Sequence, residues 1–272
     1  MSQTMLTDRP ALLRQRARAA RAPALFLHEL AADEIEDRLA MVNKSFTAPG
    51  IVSGWPDFWQ TRFPEAVVVP DDEVIALAPG AHDLVIHALC LHWANDPVGQ
   101  LVQARRALRP DGLLLAVLFG GGSLQELRAA LAQAEADVAG GLSPRVLPMG
   151  EIRDLGALLQ RAGLAMPVAD RLPLDLRYRD PSALMRDLRA MGEANAMATR
   201  SRGMLRRQVL ARACDVYAQS FSHPEGGIRA TAEMVFLTGW SPDPTQPQPL
   251  RPGSAAARLA DALGARETRL ED

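Results

Sequence analysis

The chain has 272 residues, 48% of them hydrophobic and 23% charged, with a formal net charge of −2. Such a composition belongs to a globular protein, not a disordered one, and offers no basic surface for nucleic acid or an anionic membrane. Cys90 and Cys214 lie far apart in sequence, which speaks against a disulfide framework and for a reducing compartment.

No apolar run reaches the roughly 18–20 residues of a membrane span, so stable membrane insertion is not expected. Lys44 is the only lysine, and the high Ala content with Arg as nearly every basic residue points to a GC-rich bacterial genome. The expected location is the cytoplasm of a bacterium.

Taken in chain order, residues 7–42 read as helix, with Ile35, Leu39 and Val42 at helical spacing behind a capping Asp33. The Arg-rich start reads as a solvated helix face, since acidic Asp8 does not suit an organellar presequence. Residues 47–56 form a stretch punctuated by Pro and Gly, and 57–63 a short amphipathic turn. The run 66–69 predicts a buried strand, followed by Asp71, Asp72 and Glu73. Pro79-Gly80 turns the chain into a second strand at 84–91. A helix at 97–108, a Pro110-Asp111-Gly112 turn and a strand at 113–119 complete this half. From Leu124 onward the pattern is helical: 124–138, then 149–162 closed by Gly163, then a Met- and Arg-rich block at 181–220. A last strand covers 232–237. Parallel strands joined by helices wind right-handed and place small ligands at their carboxyl ends.

The blocks Leu91-His92-Trp93-Ala94-Asn95-Asp96, Leu108-Arg109-Pro110-Asp111-Gly112 and 119–128 (FGGGSLQELR) carry a resemblance. So do Gly140 to Pro144, Met191-Gly192-Glu193-Ala194-Asn195, Thr238-Gly239-Trp240 and Arg251 to Ala255. Together they resemble the class I S-adenosylmethionine (SAM) methyltransferase fold, in the group of the complex I assembly factor and its α-proteobacterial relatives. A weaker resemblance is to the malonyl-carrier-protein methyltransferase of biotin synthesis. The implied fold is α/β, a Rossmann-like SAM-methyltransferase fold with a shortened N-terminal half and a helical cap. Its expected divisions are N-terminal helices at 1–45, the α/β domain at 46–240 with a helical insertion at about 181–220, and a Pro-rich tail at 241–272.

The resemblance implies SAM as cofactor, a respiratory-chain subunit as partner, and a protein side chain such as Arg as substrate; the mitochondrial member of the group is described as an arginine hydroxylase. The glycine turn that approaches the cofactor would be Gly50 and Gly54, although a lone pair of glycines like this is more often a plain turn. Fewer than 30 residues separate Gly54 from Asp83, too few for two strand–helix units of roughly 30 residues each. The unit carrying the ribose-binding acid is therefore expected to be missing. Asp71 or Asp72 would then face the nucleoside, or sit in a solvated turn. His92 and Trp93 end a strand, where they either face the central pocket or pack on the next helix.

On the substrate side the candidates are Gly120, Gly121 and Ser123, whose backbone could receive an anion, then Glu126 and Arg128, and finally Glu193 and Asn195 in an apolar helix. Strand alternation separates His87 from Cys90 and His92, so no metal site is expected, and no catalytic residue stands out. Two functions remain open: a SAM-dependent enzyme, or a methyltransferase-fold assembly factor that binds no SAM.

Overall fold

A computed structural model describes residues 5–246. The chain divides after Pro242. Of the second unit only the turn at Asp243–Gln246 is described, where Asp243 Oδ1 accepts from Thr245 N at 2.8 Å. The loose tail expected beyond Gln246, with Arg251 to Ala255, lies outside the described residues.

The first unit is built on six strands: β1 (Pro49–Ser53), β2 (Val67–Pro70), β3 (His82–Ala88), β4 (Leu108–Phe119), β5 (Ala165–Tyr178) and β6 (Ile228–Trp240). Their order is β2-β1-β3-β4-β6-β5. The first four are parallel, and β6 and β5 close one edge antiparallel. The helices are α1 (Arg9–Ala19), α2 (Phe26–Met41), α3 (Pro56–Arg62), α4 (Pro97–Ala107), α5 (Gln125–Ala139), α6 (Ile152–Arg161), α7 (Pro181–Ala190) and α8 (Arg207–Ser220).

Both faces of the sheet are covered. Leu101, Ala104, Leu155 and Leu159 of α4 and α6 pack on one face, and Leu27, Ala31, Ile35 and Trp59 of α2 and α3 on the other. This explains the near-continuous apolar run of β4, whose residues Leu113–Leu118 have no solvent side. A further cluster joins α5 to α8 around Leu131, Val209, Ala213 and Tyr217, forming the helical cap. Among the described residues no helix is long and apolar enough to cross a membrane.

Several expectations need correction. The helix over 7–42 is two helices, because Pro23 cannot donate a backbone hydrogen bond and disfavours helical geometry at Ala22. The Pro/Gly stretch at 47–56 contains β1, where Ile51 and Val52 are wholly buried between β2 and β3. The strand expected over 84–91 stops at Ala88, as Leu89 turns the chain at φ +48°. The Pro110-Asp111-Gly112 turn lies inside β4 as an irregularity in its pairing with β3. Asp111 there has φ +59° and is held by Lys44 Nζ. β5 was not expected at all.

Nothing helical separates β2 from β3, and only β2 flanks β1 on that side. The amino half of the sheet is thus one strand–helix unit shorter than its carboxyl half would lead one to expect, but not by the unit expected to be missing: α3 and β2 follow β1 directly, β2 lies beside it, and Asp71 stands at its end. The carboxyl ends of β1 to β4 deliver Gly54, Asp71, Leu89–Trp93 and Gly120 to one edge. α1 and the 191–197 segment lie over that edge. They are tied together by Asp8 N to Ala196 O (2.8 Å) and Ala198 N to Leu6 O (2.9 Å).

Candidate functional site

At the ends of β1 and β2 the chain makes a buried ion cluster. Arg16 of α1 places Nη1 2.8 Å from both Asp71 oxygens, and Arg9 Nη2 donates to the Asp71 carbonyl at 2.6 Å. Burial pushes the Asp71 carboxyl up, but Arg16 and Arg9 outweigh it and hold it below the usual carboxylate range. Arg16 stays charged, because Asp71 and Glu193 more than offset its desolvation. Gly54, just past β1, is where the guanidinium comes closest: a Cβ on it would collide with Arg16 Cζ and both terminal nitrogens. Gly50 is not beside it. It sits within β1, facing Leu77 and His82. Asp72 is largely exposed, 3.8 Å from Arg9.

A second centre forms where β3 and the 191–197 segment meet. The 3-10 turn Leu91–Trp93 presents Trp93 Nε1, which donates to Glu193 Oε2 at 2.7 Å, and His92 Nε2 at 3.1 Å from the same oxygen. Burial raises the Glu193 carboxyl, yet His92, Arg16 and Trp93 together hold it below its usual range, so it is a carboxylate. Glu193 and Trp93 line a cavity of about 200 Å³ whose other walls are mainly apolar, among them Phe119, Leu127, Met149 and Leu184. Ser123 and Asn195 also reach it. Arg145 and Arg189 line it as well, so such a cavity can take an apolar stem and offers the Glu193 carboxylate among charges of both signs.

The remaining predicted residues make contacts within the chain, Ser123 and Asn195 while also lining the cavity. Ser123 does not cap α5; its hydroxyl bridges the backbone of Glu233, donating to O at 3.2 Å and accepting from N at 3.0 Å. Gly120 and Gly121 admit Glu233 and Glu151 of this chain, and Gly122 N meets Glu233 Oε1, so the turn faces carboxylates and offers no anion seat. Glu126 accepts from Thr231 N (3.1 Å) and Oγ1, clamping α5 to β6. Arg128 donates to the carbonyls of Ser123 and Leu147. Glu193 and Asn195 lie after α7 and not within a helix, since Gly192 at φ +77° ends it. Asn195 binds Pro144 O and Met197 N.

Strand alternation also misplaced Cys90. With the chain turned at Leu89, its Sγ comes 3.3 Å from His87 Nδ1. Burial pushes the Cys90 thiol well up and His87 down to about 4, which leaves a neutral pair. Among the described residues no group of three His, Cys, Asp or Glu could hold a metal.

Arg9, Arg16, His28 and Gly192 were not foreseen. One signal for Arg16 was available: it shares the stripe Leu12, Arg16, Ala19, an arginine at a position of α1 that faces inward. His28 accepts from Trp59 Nε1 at 3.1 Å, and burial lowers it to about 4.

Residues 31–116 match the family described as a methyltransferase domain. The mitochondrial arginine-hydroxylase NDUFAF5 of Danio rerio is 34% identical over 198 residues, covering 73% of this chain and 61% of that protein. Its Homo sapiens counterpart is 33% identical over 220 residues, covering 81% and 64%. A malonyl-[acyl-carrier protein] O-methyltransferase from Laribacter hongkongensis is 38% identical over 177 residues, covering 65% and 57%. The chain therefore spans less than two thirds of the length of these relatives. Among solved structures, the YcgJ protein of Bacillus subtilis superposes with a TM-score of 0.48 at 11% identity, covering 78% of this chain and 99% of that one. The expected bacterial cytoplasmic location does not stand, because the relatives at 33–34% identity are mitochondrial proteins. Sheet order and family match agree: this is an α/β chain with a Rossmann-like methyltransferase domain, similar over most of its length to the arginine-hydroxylase NDUFAF5 proteins.

Proposed function

We propose that the chain is a methyltransferase-fold assembly factor that receives a side chain of a respiratory-chain subunit in the Glu193 cavity. The observation that carries this reading is the cavity itself. Its walls are mainly apolar, with Arg145 and Arg189 also among them, and the Glu193 carboxylate, the one carboxylate in its lining, is oriented by His92 and Trp93. The relatives named arginine hydroxylases make a guanidinium the natural occupant, because a carboxylate accepts paired N–H donors in one plane. The complex I assembly group, which the LHWAND and FGGGSLQELR blocks resemble, supplies the class of partner.

SAM-dependent transfer is the second reading. It draws on the methyltransferase-domain match and on a polar cavity of about 240 Å³ bordered by Asp71, His87 and Gln100. The residues at the ends of β1 and β2 do not fit SAM, however. The approach over Gly54 is filled by Arg16, and Asp71, the acid at the end of the strand β2 that follows β1, is committed to two guanidiniums. No reaction step is therefore assigned to the cofactor.

The test is complex I assembly in cells of the source organism lacking this chain, complemented in turn with wild type, Glu193→Gln and Asp72→Ala. Loss of assembly with Glu193→Gln at a normal protein level, and normal assembly with Asp72→Ala, is the expected result. Full assembly with Glu193→Gln would remove the reading.

A further inference from the structure

The guanidinium of Arg16 sits in a channel cleared from two sides. At one end the missing Cβ of Gly54 leaves room for Cζ and the terminal nitrogens. At the other, a Cβ on Gly192 would lie 2.9 Å from Arg16 Cγ and 3.3 Å from its Cα, with Trp55 Cζ2 at 3.4 Å. The two glycines come from the end of β1 and from the segment over the sheet edge, more than a hundred residues apart. The charge is then met by Asp71 at 2.8 Å, and the Arg16 side chain is 7% exposed. A glycine that lets a ligand approach backbone in other sheets of this kind here lets an arginine of the same chain do so.

We infer that α1 is an internal substitute for the cofactor: Arg16 fills the seat at the ends of β1 and β2, and the fold is closed and complete without SAM. Three independent attachments hold the plug in place. Asn95 Oδ1 accepts from Leu6 N (2.9 Å) and Thr7 N (2.8 Å), Arg200 pairs with Asp8 at 2.9 Å, and Gln15 Nε2 donates to Asn195 O at 3.0 Å. The seat and the Glu193 cavity are linked through this helix, since the segment that α1 grips also carries Glu193. The inference goes beyond the choice of partner and does not depend on it.

A double-mutant cycle on the full chain tests it. In a cofactor seat, Gly54→Ala harms ligand binding and leaves the ligand-free protein as stable as before. In a seat filled by Arg16, the new methyl strikes the guanidinium, and Tm of the ligand-free protein falls by about 5 °C or more. Arg16→Met ends short of the guanidinium carbon and keeps the stem against Gly192. In that background Gly54→Ala is expected to lower Tm by less than about 2 °C, the mark of coupled neighbours.

Equal losses in both backgrounds, or none in either, would overturn the inference. A readout that needs no variant is the Tm of wild type with about 1 mM S-adenosylhomocysteine, expected to be unchanged. A clear rise would overturn it too. Normal assembly with Glu193→Gln would sink the partner reading but leave this cycle untouched, so the two failures are distinguishable.

Discussion

Glu193 receives Trp93 Nε1 and faces His92 Nε2 through one oxygen, so truncating it strands a buried indole N–H. Glu193→Ala is expected to cost about 1–3 kcal/mol, and Glu193→Gln, which keeps an acceptor, distinctly less. Urea unfolding of the two variants measures the difference. His28 and His87 set an acid limit. Unfolded, each takes up a proton near pH 6.5; folded, burial delays this to about 4. Between those values the unfolded chain binds more protons. The stabilisation is therefore full above about pH 6.5 and lost as pH falls towards 4, by roughly 3 kcal/mol for each residue. Tm measured from pH 7 to 4.5 should fall steadily, with a shallower fall for His28→Gln. A flat profile would contradict the buried neutral state. Of these residues, His92, Trp93 and Glu193 were legible because they stand in recognisable blocks. Arg16 was not, because arginine on an outer helix reads as solvated until a carboxylate from another element is found beneath it.

Elements with strong local signals came through best. Helix α4 begins where Asp96 caps it, accepting from Gly99 N at 2.8 Å, with Pro97 in its first turn. Helix α6 ends at Gly163, φ +75°, as its left-handed cap required. Gly163→Ala should cost about 1–2 kcal/mol, since alanine is strained there and its Cβ would lie 2.6 Å from Arg105 Nη1, which itself donates to Gly163 O. Thermal unfolding checks this. The missed strands have physical reasons. β1 is short and begins with Pro49-Gly50, so its strand character comes from pairing on both sides and not from its own composition. β5 is an edge strand whose two prolines and alternate exposed residues are tolerated only because nothing pairs with its outer side among the described residues.

At the scale of the whole molecule, the half-length of the amino side could be counted in the sequence, as the spacing from Gly54 to Asp83 leaves room for one unit only. What occupies the seat at the ends of β1 and β2 could not be read, because Arg16 and Asp71 are far apart in sequence and meet only in the fold. The location, too, was misjudged: composition reports on a genome and carries no address, whereas the NDUFAF5 relatives are mitochondrial proteins. A methyltransferase sheet whose cofactor seat is occupied by its own arginine, beside an apolar cavity ending in a carboxylate, is suited to holding a partner without a bound nucleoside. Titration calorimetry of S-adenosylhomocysteine into the purified full chain tests this most directly. The account predicts no heat of binding up to about millimolar ligand, and a micromolar Kd, roughly −8 kcal/mol, would contradict it.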